Sequence, residues 1–304
     1  MSFRPSSFAD IVGQRDIIET LSISVDSANK RRVALGHTLL SGPAGLGKTT
    51  FANALASELG VDIAIANGAN MRSPKHIIPF IRDLSERSIL FIDEVHRLPI
   101  NCMEFLYPVM EDFKLSITTG DSHKDNVIEI PVPQFTMVGA TTHAGSLSAP
   151  FRDRFKLRME LKTYSVKDLS KLISSNAGRM NLRLSEDAVQ IIAGASRGTP
   201  RIANSLLDWV RDYSVSKNIR NMCRNSVRDA LKMKRIGLDG STEQDRSYMK
   251  LISGMREPVG LKTLSSMLNI EQETIQNVIE PFLLQRGLIA KTKRGRVAVG
   301  DLHK

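Results

Sequence analysis

The sequence is poor in cysteine: Cys102 and Cys223 are the only two in 304 residues. They lie far apart without metal-ligand spacing, which argues against a disulfide framework and a zinc site and fits a reducing cytoplasm. No apolar run is long enough to span a bilayer. The opening residues MSFRPSSFADIVGQ contain no apolar core of the secretory-signal kind. Internal repeats and low-complexity tracts are missing too. What is there is an ordinary globular composition, 41% hydrophobic and 24% charged, at a length that predicts two or three domains. The imbalance is electrostatic. A net charge of +10 points to a polyanionic partner, nucleic acid ahead of an acidic membrane surface.

The stretch Ser41–Thr50 reads SGPAGLGKTT and fits G-x-x-x-x-G-K-[ST] at every fixed position from Gly42 to Thr49. Glycines such as Gly45 and Gly47 let the backbone turn and aim N–H groups at phosphate oxygens, and the following helix adds the positive end of its dipole. Lys48 then reaches the outer phosphates and the Thr49 hydroxyl holds Mg²⁺. The context agrees, with an apolar strand before the loop and a helical pattern from Thr49 to Gly60 after it. Strand and helix alternate onward to Ser88–Glu94 (SILFIDE), a continuous apolar run of the kind buried in a parallel sheet. It ends in Asp93-Glu94. Ligands bind outside the carboxyl ends of such strands, so Asp93 is placed for Mg²⁺ and Glu94 for a hydrolytic water. A nucleoside triphosphate site built for hydrolysis follows.

Further along, Lys114–Thr119 and Val127–Val132 alternate about a polar turn and predict a β-hairpin. Ile128 and Ile130 share one of its faces, which either packs on the body or meets a partner. Phe135–Ala140 predicts another buried strand, ending in Thr141-Thr142 where a γ-phosphate or water would sit, and Arg152 and Arg154 share a short loop. From Tyr164 strands give way to helical patterns, and Arg201 falls in the first turn of one of them, where the dipole disfavours a cation unless a phosphate is near. Residues 237–245 read as a polar linker. Three helices and a basic terminal hairpin follow, carrying Lys291, Lys293, Arg294 and Arg296; that order predicts a winged helix with phosphate contacts.

Together these features resemble an AAA+ ATPase. The wording of GPAGLGKTT, LFIDEVHRL, YPVMEDF, FTMVGATTHAG, FRDRF and RGTPRIAN resembles, more narrowly, the RuvB family of Holliday-junction branch migration motors, from Arg4 to Arg296. The resemblance implies an α/β fold: an AAA+ phosphate-loop parallel-sheet domain at 1–163 with a protruding hairpin at 114–132, a small all-helical lid at 164–236 and a winged helix at 245–304. It implies ATP and Mg²⁺ as ligands, with Gly45, Lys48, Thr49 and Thr50 at the phosphates and Phe3 and Arg4 at the adenine end. Asp93 and Glu94 become the metal and water acids, Thr142 the γ-phosphate sensor, Arg154 an arginine finger for the next subunit, and Tyr164 and Arg201 lid contacts. The implied partners are branched DNA through Lys291, Arg294 and Arg296, a RuvA-like protein through Ile128 and Ile130, sister subunits in a hexameric ring, and a RuvC-like resolvase. The implied site of action is the bacterial cytoplasm.

Several positions depart from the family pattern. His143 stands for the usual arginine, Lys156 for a glycine, Lys291 for an arginine and Lys293 for a wing proline, and the turn 121–126 is unusual. None removes a catalytic group. Two other functions fit parts of the sequence: a clamp-loader or initiator-type AAA+ ATPase, and a DNA-binding regulator switched by ATP.

Overall fold

A computed structural model describes residues 5–119 and 126–300 of the chain. They fall into two compact units, residues 1–168 with 199–201, and residues 169–198 with 202–304. Phe3, Arg4 and the hairpin turn 120–125 lie outside the described residues.

The first unit runs α1 (Arg15–Arg31), β1 (Thr38–Ser41), α2 (Lys48–Leu59), β2 (Ile63–Asn67), α3 (Ile78–Arg82), β3 (Ile89–Asp93), α4 (Ile100–Glu111), β4 (Lys114–Thr119), β5 (Asn126–Pro131), β6 (Thr136–Thr141), α5 (Ala149–Asp153) and β7 (Leu157–Glu160). Five strands form one parallel sheet in the order β2-β3-β6-β1-β7. The apolar run of β3 has the reason the sequence implied. Ile89 and Phe91 pack in one core with α1 and α2, while Leu90 and Ile92 pack in the other with α4. All four have no exposure, and each such burial stabilises the fold by about 1.5–3 kcal/mol. The segment after Ser73 is broken into a 3₁₀ turn, Pro74–His76, and the short α3. Pro79 accounts for the break, since it lacks the N–H that a continuous helix would use.

β4 and β5 form the predicted antiparallel hairpin, with Leu115 opposite Ile130. Leu115 and Val132 anchor its base in the core, whereas Ile128 and Ile130 are 49% and 42% exposed. Of the two readings of that face, packing against the body is therefore the one the structure disfavours.

The second unit takes in most of α6 (Val166–Arg179) and α8 (Pro200–Ser216), together with β8 (Arg183–Leu184), α7 (Glu186–Ala195), β9 (Asn221–Met222) and α9 (Arg224–Met233). It continues through α10 (Glu243–Ser253), α11 (Leu261–Leu268), α12 (Gln272–Thr274), a π-helical turn Ile275–Ile279, α13 (Glu280–Gln285) and the hairpin β10 (Ile289–Thr292) and β11 (Gly295–Ala298). The wide turn precedes Pro281, whose missing N–H interrupts the regular ladder.

The polar linker read at 237–245 is an ordered segment. Gly237 N donates to Ser241 O at 2.7 Å, and Ser241 and Asp245 are buried. Asp245 closes a capping box with Thr242 and pairs with Arg197. Arg197 also donates to Gly240 O at 2.8 Å and stacks on Phe282, 4.0 Å from the ring centroid. A half-buried arginine with three kinds of partner locks a polar segment that composition alone would leave free.

Candidate functional site

The carboxyl ends of β1, β3 and β6, the three central strands, converge on one place. The loop after β1 turns through Gly42, Gly45 and Gly47, all at positive φ. Gly47, at φ 101°, is the cap of α2, a conformation that side chains resist. At Gly45 a Cβ would come within 2.8 Å of Thr199 Cγ2 and 3.0 Å of Arg201 Cβ, so only glycine fits beneath that segment. The Arg201 N–H donates to Gly45 O at 3.3 Å. Arg201 thus sits on the phosphate loop, which gives its cation, in the first turn of α8, a reason to be there.

Lys48 is buried, and its ammonium donates to Gly42 O at 2.7 Å and Pro43 O at 3.0 Å. Burial pulls its pKa below the ordinary lysine value, opposed by the charges of Glu94 and Asp93 and reinforced by Arg201. Thr49 and Thr50 follow in the first turn of α2, half-buried beside it.

The Glu94 N–H donates to Asp93 Oδ1 at 3.0 Å, and Glu94 itself holds φ 50°, left-handed for a residue with a side chain. Such a conformation costs about 1–3 kcal/mol and persists only where neighbours impose it. Across the gap to β6, Thr142 Oγ1 donates to Glu94 Oε2 at 3.2 Å. Two histidines complete the group. His96 Nδ1 lies 3.3 Å from Glu94 Oε2 and 3.0 Å from Thr141 Oγ1, while His143 Nδ1 lies 2.9 Å from Thr142 Oγ1. The two imidazoles meet edge to face at 4.9 Å. Burial lowers the pKa of His96, with Glu94 working against the shift and His143 with it. His96 was not singled out from sequence; its signal was its place two residues after Glu94, in the 3₁₀ turn that leaves β3.

Tyr164 Oη donates to Leu46 O at 3.4 Å, and burial pushes its hydroxyl up to about 12. Beside it opens a cavity of about 270 Å³ lined by Gln14, Arg15, Glu160, Lys162 and Asp168 among others. Gly45, Gly47, Lys48, Thr49, Thr50, Asp93, Glu94, Thr142, Tyr164 and Arg201 are therefore all placed in the first unit, and Lys48, Asp93, Glu94 and Thr142 at its strand ends.

Arg154 is held separately. Its guanidinium bonds Glu111 at 2.9 Å and Pro150 O at 2.7 Å and lies over the Tyr107 ring. In the wing, two of the three proposed DNA cations are engaged. Glu280 has no exposure; Arg296 Nε donates to it at 2.7 Å and Lys291 Nζ pairs with it at 2.6 Å. Burial would raise the Glu280 carboxyl, but the bonds from Arg296 and Lys291 win and hold it below the ordinary carboxylate range. Arg294, with Lys293, is exposed at the hairpin tip.

The site suits a triphosphate with a divalent cation. Glycines clear the loop, the start of α2 offers backbone N–H groups, and Lys48 and Arg201 supply positive charge against Asp93 and Glu94. Thr49 and Asp93 are the oxygen donors that would hold Mg²⁺, and so small a protein share matches its habit of keeping phosphates and waters as other ligands.

Comparison with known proteins agrees over the whole chain. Residues 3–161 match the Holliday junction DNA helicase RuvB P-loop domain, residues 164–237 the RuvB AAA lid domain and residues 237–300 the RuvB C-terminal winged helix domain. The Holliday junction branch migration complex subunit RuvB of Rhodopirellula baltica is 40% identical over 302 residues, 98% of this chain and 82% of that protein. The corresponding Synechococcus subunit is 44% identical over 296 residues, covering 97% and 86%. The solved RuvB Holliday junction branch migration motor of Thermotoga maritima superposes with a TM-score of 0.87 at 37% identity, covering 97% of this chain and 95% of that one. The chain belongs to the RuvB family of AAA+ P-loop ATPases.

Proposed function

We propose that this protein is an ATP-driven motor that branch-migrates Holliday junctions as a homo-oligomeric ring, a hexamer, working with a RuvA-like junction-binding partner. The observation that carries the catalytic half is the meeting of Glu94 and Thr142, 3.2 Å apart, across the strand ends beside the phosphate loop. That pairing suits a hydrolase: a hydroxyl aims the carboxylate that would take a proton from water.

In this reading Lys48, the loop amides and Arg201 bind the triphosphate, and Thr49 and Asp93 hold Mg²⁺. Held there, a divalent cation would supply positive charge against the charge that develops on the phosphates. Phe3 and Arg4 contact the adenine end and Tyr164 packs nearby. Glu94 accepts the proton of a water that attacks the terminal phosphorus, as the bond from that phosphorus to ADP breaks. Arg154 acts in the neighbouring subunit's site, so turnover depends on assembly. Ile128 and Ile130 dock the RuvA-like partner, and a RuvC-like resolvase can join the same assembly. Arg294, with Lys291 and Arg296 behind it, contacts DNA phosphates. Such contacts position a protein without reading sequence, which a translocating motor requires.

The test mixes the protein with ATP, Mg²⁺ and a synthetic four-way junction, with and without a RuvA-like protein. ATP-dependent conversion to duplex arms is expected. Failure to move the junction under both conditions sinks the reading and leaves the clamp-loader or regulator alternatives.

A further inference from the structure

The chain's net charge is concentrated in one part of it. The first compact unit holds 20 lysines and arginines against 19 acids, a net +1; the second holds 22 against 13, a net +9. Within the second unit the longest basic run is not the wing. From Lys217 to Arg235 there are seven cations and one acid, Asp229. Two of the seven are occupied: Lys234 lies over the Trp209 ring and Arg235 pairs with Glu243.

Arg224, Arg228 and Lys232 are different. They lie four residues apart on α9, so they stack along one side of it. All three are exposed, and they appear in no ion pair among the described residues. Val227, Ala230 and Leu231 of the same helix are fully buried. Like charges at this spacing repel, and each pair costs a helix about 0.2–0.5 kcal/mol. Solubility is better served by alternating signs, so folding gives no account of the stripe.

We infer that the exposed face of α9 is a second contact for the phosphate backbone of duplex DNA, separate from the wing. The inference rests on the DNA-motor reading above and adds a surface to it. Eight residues of helix span about 12 Å. Duplex DNA offers a negative charge every 1.7 Å or so of its axis, so roughly seven phosphates pass within that length. Three long cations in a row, with only the single acid Asp229 among them, fit that target and carry no sequence preference. The wing needs such support, because Glu280 already takes up the charge of Lys291 and Arg296.

The experiment measures duplex affinity of the full chain by fluorescence anisotropy over a salt series. Each phosphate contact contributes about 0.9 to the log–log slope. The combined Arg224→Ala, Arg228→Ala and Lys232→Ala variant should therefore flatten the slope by about 2–3 and weaken binding about tenfold or more at low salt. A control variant, Lys30→Ala with Arg31→Ala and Lys75→Ala, removes the same charge from the first unit and should keep the wild-type slope. Thermal melts by circular dichroism check that both fold. An unchanged slope in the α9 variant overturns the inference, as does equal flattening in the control. Lost ring assembly with an unchanged slope reassigns the face to a neighbouring subunit and overturns it equally. A wild type that binds duplex but moves no junction defeats the motor reading and leaves this contact standing.

Discussion

The Arg154 guanidinium lies over the ring of Tyr107, 3.9 Å from its centroid, and donates to Glu111 at 2.9 Å. A cation held this way is aimed by its own chain. Tyr107 and Glu111 come from α4 and Arg154 follows α5, so the α4 to α5 contact sets where the arginine points. If the charge acts in trans, loosening this holder should lower turnover in the assembled protein without weakening ATP binding. We expect Glu111→Gln to cost about tenfold in kcat, since small misplacements of a reacting group are expensive. Arg154→Ala should cost about 10³-fold. Mixing Arg154→Ala subunits with Glu94→Gln subunits, each nearly inactive alone, should restore turnover where an intact Glu94 meets a neighbour's intact Arg154. No recovery in the mixture would show that Arg154 serves only its own subunit.

Glu94→Gln should bind ATP normally and lose about 10²–10⁴ in turnover, the range for removing a positioned base. Thr142→Val tests the other end of the 3.2 Å bond. It should lower kcat while leaving the nucleotide dissociation constant within about twofold, because a positioning hydroxyl acts on the reacting geometry more than on binding. If Thr142→Val weakened nucleotide binding as strongly as turnover, its contact with Glu94 would be incidental.

How much of this was legible in advance depends on the range of the signal. The phosphate loop and the Asp93-Glu94 strand end are local patterns, and each was readable because its chemistry and its secondary structure lie in the same ten residues. Arg201 was readable for another reason: a cation in a helix's first turn is locally wrong, and the misfit pointed to its partner. Glu280 carried no such mark. A lone acid near a proline reads as a solvated helix residue until the fold brings Lys291 and Arg296 to it across more than ten residues. The ordered 237–245 connection was hidden in the same way, because its lock, Arg197, is 48 residues from Asp245. Glycine and acid content describe a segment's own preferences, and an arginine distant in sequence overrides them.

The Glu280 cluster makes a prediction about the wing. Its carboxylate is fully buried with two cations and the Tyr248 hydroxyl at 3.2 Å. Removing one member of such a group leaves uncompensated charge, at a cost of about 3–5 kcal/mol. Glu280→Ala should therefore lower the urea midpoint of the chain's least stable transition markedly. Arg296→Ala should do so as well, so its loss of DNA binding would not by itself report a DNA contact. Arg294→Ala at the exposed tip should weaken DNA binding with no change in the melt. Equal stability of Glu280→Ala and wild type would mean that the cluster contributes no net stability.

The pH dependence of stability should be set in part by His37. Its Nδ1 accepts the Met137 N–H at 2.8 Å, so its Nε2 carries the proton and donates to Met110 O at 2.9 Å. Burial lowers its pKa below the ordinary histidine value, with the Met110 bond opposing the shift. The folded state therefore binds this proton less readily than the unfolded chain does. Its contribution is fully present above the unfolded value of about 6.5 and is lost as pH falls below it, towards the lower folded pKa. Urea melts at a series of pH values should show stability dropping on acidification from neutral, before the carboxylates titrate. His37→Gln lacks the titration, so its curve should be flatter over that window, though lower at neutral pH. An equally steep fall in His37→Gln would assign the acid sensitivity to other groups.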